Sequence, residues 1–208
     1  MIGLYAIAQG APRGVLGALG EPLRILAVGA LEAVCGAPPP PLSAGALRAH
    51  EAAVRRIADG AQACLPARFG CSAPDETSLS AAIAGREAEL LEALELVRGR
   101  EQMTLRVHGA LAALPSEAGP GTRYLEGRRR ASKLPELEPL RSALSGLVRA
   151  ERLEPHEESG LLASVYHLID RGAAAPYRRA VESSALGGLR VTLSGPWPAW
   201  SFAPELSP

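Results

Sequence analysis

Leu189-Arg190-Val191-Thr192-Leu193-Ser194-Gly195-Pro196-Trp197-Pro198-Ala199-Trp200-Ser201-Phe202 carries two structural messages in succession. Its first half alternates apolar Leu189, Val191 and Leu193 with polar Arg190, Thr192 and Ser194, the period of a strand buried on one face. Its second half holds both tryptophans and one of the two phenylalanines of a chain that is only 4% aromatic. Each such ring buries about 150–250 Å², worth ~4–6 kcal/mol gross at ~25 cal/mol/Å². Disordered tails lack apolar surface on that scale. Pro196 and Pro198 lack the N–H that a helix interior or an inner strand needs. The segment reads as an extended strap that docks by its rings, a latch rather than an active site.

Upstream of that strand, Gly187-Gly188 end a short helix running from Pro176 to about Leu186. Leu161 to Ile169 is apolar on both faces, as a central strand is. Met103, Leu105 and Val107 alternate with Gln102, Thr104 and Arg106, predicting a strand buried on one face. Between them, Gly119-Pro120-Gly121 opens a helical stretch from about Thr122. Pro135 and Pro139 break it before a second stretch with Leu140, Leu144, Leu147 and Val148. With Arg149–Glu154 as an edge strand, the second half reads β-α-β-β-α-β, the ferredoxin-like split βαβ order.

The first half begins with a strand over Gly3–Ala8. A hairpin of Leu23–Val28 and Leu31–Cys35 follows, joined at Gly29. The Pro38–Pro41 run forms a stiff link. Ser43 then caps a helix to about Asp59, with Leu47, Val54 and Ile57 on its apolar face and His50, Arg55 and Arg56 off it. Ala63–Phe69 is a short strand ending at Gly70. From Asp75–Ser78 a single helix carries Leu79, Ile83, Leu90, Leu94 and Val97 inward, with Glu89, Glu92 and Glu95 on its wet side. The fold class expected is therefore α+β in two packed domains: residues 1–98, a ferredoxin-like 99–195, and a tail 196–208 docking at their interface.

Composition narrows the function. Acidic and basic residues balance at 22 each, with a net charge of zero, which removes the electrostatic footprint of a nucleic-acid binder. No apolar run reaches the ~18–20 residues of a membrane span, and Met1-Ile2-Gly3-Leu4-Tyr5 has no basic region of a secretion signal. Cys35, Cys64 and Cys71 show no CxxC spacing, and His50, His108, His156 and His167 are scattered, so neither a metal site nor a cofactor is expected. Reduced thiols in a cytoplasmic protein are the expectation.

Short motifs add little chemistry. His50-Glu51-Ala52-Ala53-Val54 puts valine where a zinc-binding HExxH needs its second histidine. Gly119-Pro120-Gly121-Thr122 lacks the lysine of a phosphate-binding loop and serves as a helix-entry turn. No set of catalytic residues is suggested by proximity. Arg123, Tyr124, Arg128, Arg129 and Arg130 form the densest basic stretch, a solvated face or a docking patch for an acidic partner surface. In Leu65-Pro66-Ala67-Arg68-Phe69-Gly70, Phe69 is a packing residue, Gly70 a tight backbone position, and Arg68 a candidate fork onto a carboxylate across the domain interface. Arg68, Phe69 and Gly70, with Pro196, Trp197, Trp200 and Phe202, are the candidate tail-docking residues.

Several blocks, in order, resemble the gas vesicle protein F/L family (GvpF/GvpL). They are Leu4-Tyr5-Ala6-Ile7, Leu65–Gly70, Leu96-Val97-Arg98-Gly99-Arg100-Glu101-Gln102-Met103, and Gly119-Pro120-Gly121-Thr122-Arg123-Tyr124-Leu125. Tyr166-His167-Leu168-Ile169-Asp170-Arg171 and Gly188–Pro198 with Trp200-Ser201-Phe202 complete the set. Ala67 and Trp200 depart from the valine and tyrosine common in that family. The resemblance implies a non-enzymatic accessory protein that binds the small hydrophobic shell protein (GvpA) and supports nucleation or assembly of gas vesicle shells, with other accessory proteins as further partners. It also implies two α+β domains, the second a modified ferredoxin fold, packed through the tail. The competing reading is a ferredoxin-like small-molecule-binding or enzymatic domain, since that fold hosts many chemistries.

Overall fold

A computed structural model describes residues 1–109, 134–156, 160–184, 186 and 188–206. The chain forms two compact units, one of Met1–Glu101 with Trp197–Pro208 and one of Gln102–Pro196.

Unit 1 is built around β1 (Ile2–Gln9), which is buried from Ile2 to Ala8. It pairs antiparallel with β3 (Leu31–Gly36) on one side. On the other side it pairs with β4 (Ala63–Pro66) over Ala6–Gln9 and with β5 (Ser72–Ala73) over Ile2 and Gly3. A strand flanked on both sides and covered by helices reads as continuously apolar, which explains the unbroken Leu4-Tyr5-Ala6-Ile7-Ala8 run. β2 (Arg24–Val28) adds to β3, and Val28 faces Leu31 across a turn where Gly29 takes φ +57°.

Helix α1 (Ala44–Gly60) starts where Ser43 accepts a hydrogen bond from the Ala46 N–H at 3.1 Å. Its inward face departs from the expected one. His50 is 6% exposed and Leu47 45%, so the stripe is His50, Ala53, Val54 and Ile57. His50 is tolerated there because its ring finds a backbone carbonyl. The single helix expected after Asp75 is two: α2 (Glu76–Ala84), capped by the Asp75 carboxylate on the Ser78 N–H, and α3 (Glu87–Val97). The break falls at Gly85-Arg86, where glycine weakens a helix interior. Redirecting the chain there leaves Leu79 and Ile83 of α2 and Leu90, Leu94 and Val97 of α3 all buried.

Unit 2 holds a four-stranded sheet of β6 (Arg100–His108), β7 (Val148–Pro155), β8 (Leu161–Asp170) and β9 (Arg190–Trp197), in the order β7-β8-β6-β9. The weakly signalled strand near Arg149–Glu154 is β7, antiparallel to β8 at the sheet edge. Val148, expected in a helix, opens that strand instead. A 3-10 turn over Pro135–Leu137 leads into α4 (Glu138–Leu144), and α5 (Ala174–Ser183) joins β8 to β9. Met103, Leu105, Val107, Leu137, Leu140, Leu144, Val165 and Tyr177 form the core.

β6 is not buried on one face only: Gln102 and Thr104 are also buried, with Gln102 donating to the Thr104 hydroxyl at 3.1 Å. The last strand does not stop at Ser194 but continues to Trp197, through a cis Gly195–Pro196 peptide. An edge position in the sheet makes proline admissible there.

Candidate functional site

All but Pro196 of the side chains singled out around the tail belong to unit 1. His50 projects from α1 between three aromatic rings. It stacks on Tyr5 of β1, meets Phe69 edge-on with centroids 5.6 Å apart, and lies 6.4 Å from Trp200. Its Nε2 is 2.9 Å from the Ala67 carbonyl oxygen. A carbonyl only accepts, so Nε2 carries the proton and donates. Burial lowers the His50 pKa, with that hydrogen bond pulling weakly the other way, so the ring is neutral at pH 7.

Tyr5 carries the cluster to the loop preceding β2. Its hydroxyl donates to Glu21 at 2.9 Å and accepts from the Ala18 N–H at 2.9 Å. Burial, above all, pushes that phenol to about 12. Gly70, at φ +93°, makes the turn that separates Phe69 from Cys71, a conformation few other residues take without strain.

The tail is not extended throughout. After β9, Ala199 to Ala203 turn back on themselves, the Phe202 and Ala203 N–H groups both donating to the Ala199 carbonyl at 3.0 and 3.1 Å. Trp200 packs on the core of Tyr5, Ala53, Val54 and Ile57, and Ala199 and Phe202 are buried. The guanidinium of Arg55 sits 4.8 Å over the Trp197 ring, a cation–π contact. Arg68 is exposed and pairs with Glu205 at 3.3 Å within the same unit. Pro196 belongs to unit 2. Arg123, Tyr124, Arg128, Arg129, Arg130 and the Gly119-Pro120-Gly121 turn lie outside the described residues.

Unit 2 contains a polar cluster that sequence reading missed. Glu151 of β7 and His167 of β8 face each other in register and meet at 2.8 Å. His167 is 2% exposed, and its other ring nitrogen is 2.6 Å from the hydroxyl of Tyr177 on α5. Arg141 of α4 reaches Glu151 at 3.0 Å and also donates to the Leu134 carbonyl. The hydrogen bond from His167 and then those from Arg141 hold the Glu151 carboxyl at about 2, against the upward pull of burial. The cluster ties both strands to both helices, with every member engaged. Tyr177 is fully buried.

Among the described residues, no group of three or more His, Cys, Asp or Glu side chains is placed to hold a metal, and no helix is long and apolar enough to cross a membrane.

The family model described as "Gas vesicle synthesis protein GvpL/GvpF" matches residues 2–204. The chain belongs to the gas vesicle GvpL/GvpF family. It is 26% identical to gas vesicle protein L of Streptomyces sp. (strain CB03234), over 92% of this chain and 87% of that protein. It is 29% identical to gas vesicle protein F of the same strain, over 91% of each. Its fold is similar to the crystal structure of GvpF from Microcystis aeruginosa, with a TM-score of 0.75 at 16% identity, covering 98% of both chains. GvpF from Anabaena sp. PCC7120 gives the same TM-score and identity, covering 98% of this chain and 95% of that one. Within this GvpL/GvpF member, sequence reading also missed the contacts that His50 makes with Ala67 and Arg55 with Trp197. Each partner is far away in sequence, and only the i, i+3, i+4, i+7 spacing of His50 with Ala53, Val54 and Ile57 offered a clue.

Proposed function

We propose that the protein is a non-enzymatic, cytoplasmic accessory component of gas vesicles that binds the hydrophobic shell protein (GvpA type) and supports nucleation or assembly of the shell. The observation that carries this reading is the match to the gas vesicle synthesis family from residue 2 to residue 204, which leaves no room for a second unrelated domain within that span. A strongly apolar subunit aggregates unless its sheet edge or apolar face is covered until it joins the growing shell. β7 is a sheet edge of suitable length, eight residues, with a largely exposed side-chain pattern. The Arg123–Arg130 stretch is the second candidate surface. We read unit 2 as ferredoxin-like because β8 lies between β6 and β7, so that the chain's third strand of that unit splits the first βαβ.

Co-expression with the cognate shell protein, followed by pull-down from the soluble fraction, tests the proposal. The shell protein is expected to remain soluble and to co-purify only when this partner is present. A shell protein that neither binds nor gains solubility overturns direct binding.

A further inference from the structure

The end of the described tail lies in unit 1 as a peptide lies in a receptor. Leu206 closes a small apolar cleft lined by Leu4, Leu79, Ile83 and Leu90. Two successive backbone carbonyls are held by side chains: Glu205 O by Arg86 Nη1 at 2.6 Å, and Leu206 O by the Cys71 thiol at 2.7 Å. The Glu205 carboxylate faces Arg68 at 3.3 Å. The groove thus reads an acidic side chain, a leucine and the main chain joining them.

Arg86 is set independently of the tail. Glu89 grips Arg86 through two hydrogen bonds of 2.9 and 2.8 Å, leaving Nη1 aimed at the groove. Burial keeps Cys71 protonated, at about 11, and hence a donor. The acidic side chain, by contrast, is lightly held: the side chains of Arg68 and Glu205 are 77% and 79% exposed, where an ion pair in water contributes little. The firm anchors of the tail, Ala199 and Phe202, lie before this segment. Residues 204–206 lie beyond the turn that closes on Ala199.

We propose that this groove is a recognition site for an extended acidic-residue–leucine segment of a partner protein, filled in cis by the protein's own Glu205-Leu206 and open to a partner's segment in trans. The tail itself supplies the chemistry of the ligand, and the proposal is independent of shell binding. A cis segment competes at an effective concentration in the millimolar range, so the site is masked until a better or more concentrated segment displaces it.

The test uses the full chain with Leu206→Asp, or Leu206→Ala should the aspartate disturb folding, checked by circular dichroism. Each is titrated with an end-blocked peptide of sequence Phe-Ala-Pro-Glu-Leu, followed by amide NMR shifts. The variants are expected to bind at least tenfold more tightly than the unsubstituted protein, with shifts at Leu79, Ile83 and Leu90. Adding Arg86→Gln, or replacing the peptide's leucine by alanine, is expected to abolish those shifts. Folded variants that show no shifts there at millimolar peptide, or binding indifferent to the peptide's leucine, overturn the proposal.

Discussion

The imidazole of His50 lies on the ring of Tyr5 with centroids 5.0 Å apart and planes 22° from parallel. The contact joins α1 to β1 beneath Trp200, so the protonation state of one histidine bears on how the tail is seated.

Acidification is expected to weaken unit 1 through His50. The folded pKa lies below the ordinary 6.5, so in the window between them the unfolded chain binds more protons. Stability is therefore full above pH 6.5 and declines as pH falls beneath it, by at most about 1.4 kcal/mol per pH unit. Thermal melts from pH 8 to 5 should show this slope, and His50→Gln should flatten it. An identical slope in both proteins removes His50 as the cause.

Glu151 acts at lower pH. Its folded pKa of about 2 lies under the ordinary 4.5, so its contribution is complete above 4.5 and is lost as pH falls towards 2. Discounted for the partial exposure of the carboxylate, the difference corresponds to something on the order of 2 kcal/mol. Glu151→Gln at pH 7 is expected to lower stability in urea by about 2–3 kcal/mol, since Arg141 and His167 lose their carboxylate. A change under ~0.5 kcal/mol, the size of a surface substitution, would mean the cluster is energetically idle.

Removing the docked ring Phe202 tests whether the tail belongs to the core of unit 1. Phe202→Ala should destabilise by about 3 kcal/mol, lowering the melting temperature by roughly 6–12 °C for a chain of this size. Deleting residues 198–208 should do at least as much and promote aggregation, because the surface under Trp200 is apolar. A monodisperse truncated protein with an unchanged melting temperature contradicts this.

Gly3 of β1 passes so close to Ala37 that a Cβ would fall on the Ala37 carbonyl oxygen, a backbone atom with no freedom to swing aside. Gly3→Ala is expected to cost about 2 kcal/mol or more by overpacking. Gly14→Ala, where a Cβ meets nothing but φ is +76°, isolates the cost of strained backbone alone. Soluble yield and urea midpoint distinguish the two; equal, small losses would show that β1 yields.

Strong periodic signals located most of the architecture. The β2–β3 hairpin announced itself by two apolar runs around Gly29, and β8 by apolar residues on both faces. What stayed hidden depended on partners distant in sequence. His50 ranks as polar until the Ala67 carbonyl is seen to accept its hydrogen bond, and Leu47, more apolar, stays in water. Gln102 and Thr104 look like a wet face until each is seen to answer the other. Glu151, His167, Tyr177 and Arg141 sit on four separate elements, and no local pattern unites them. The rings of the tail were conspicuous, yet their sequence could not reveal the turn over Ala199–Ala203.

Unit 1 takes residues from both sides of unit 2. Synthesis from the N-terminus usually lets domains fold as they emerge. Here β1 and α1 leave the ribosome early, yet the residues that cover them at Trp200 follow only after all of Gln102–Pro196 has been made. The unit translated first is completed last, and until then its uncovered apolar face is what a chaperone would meet.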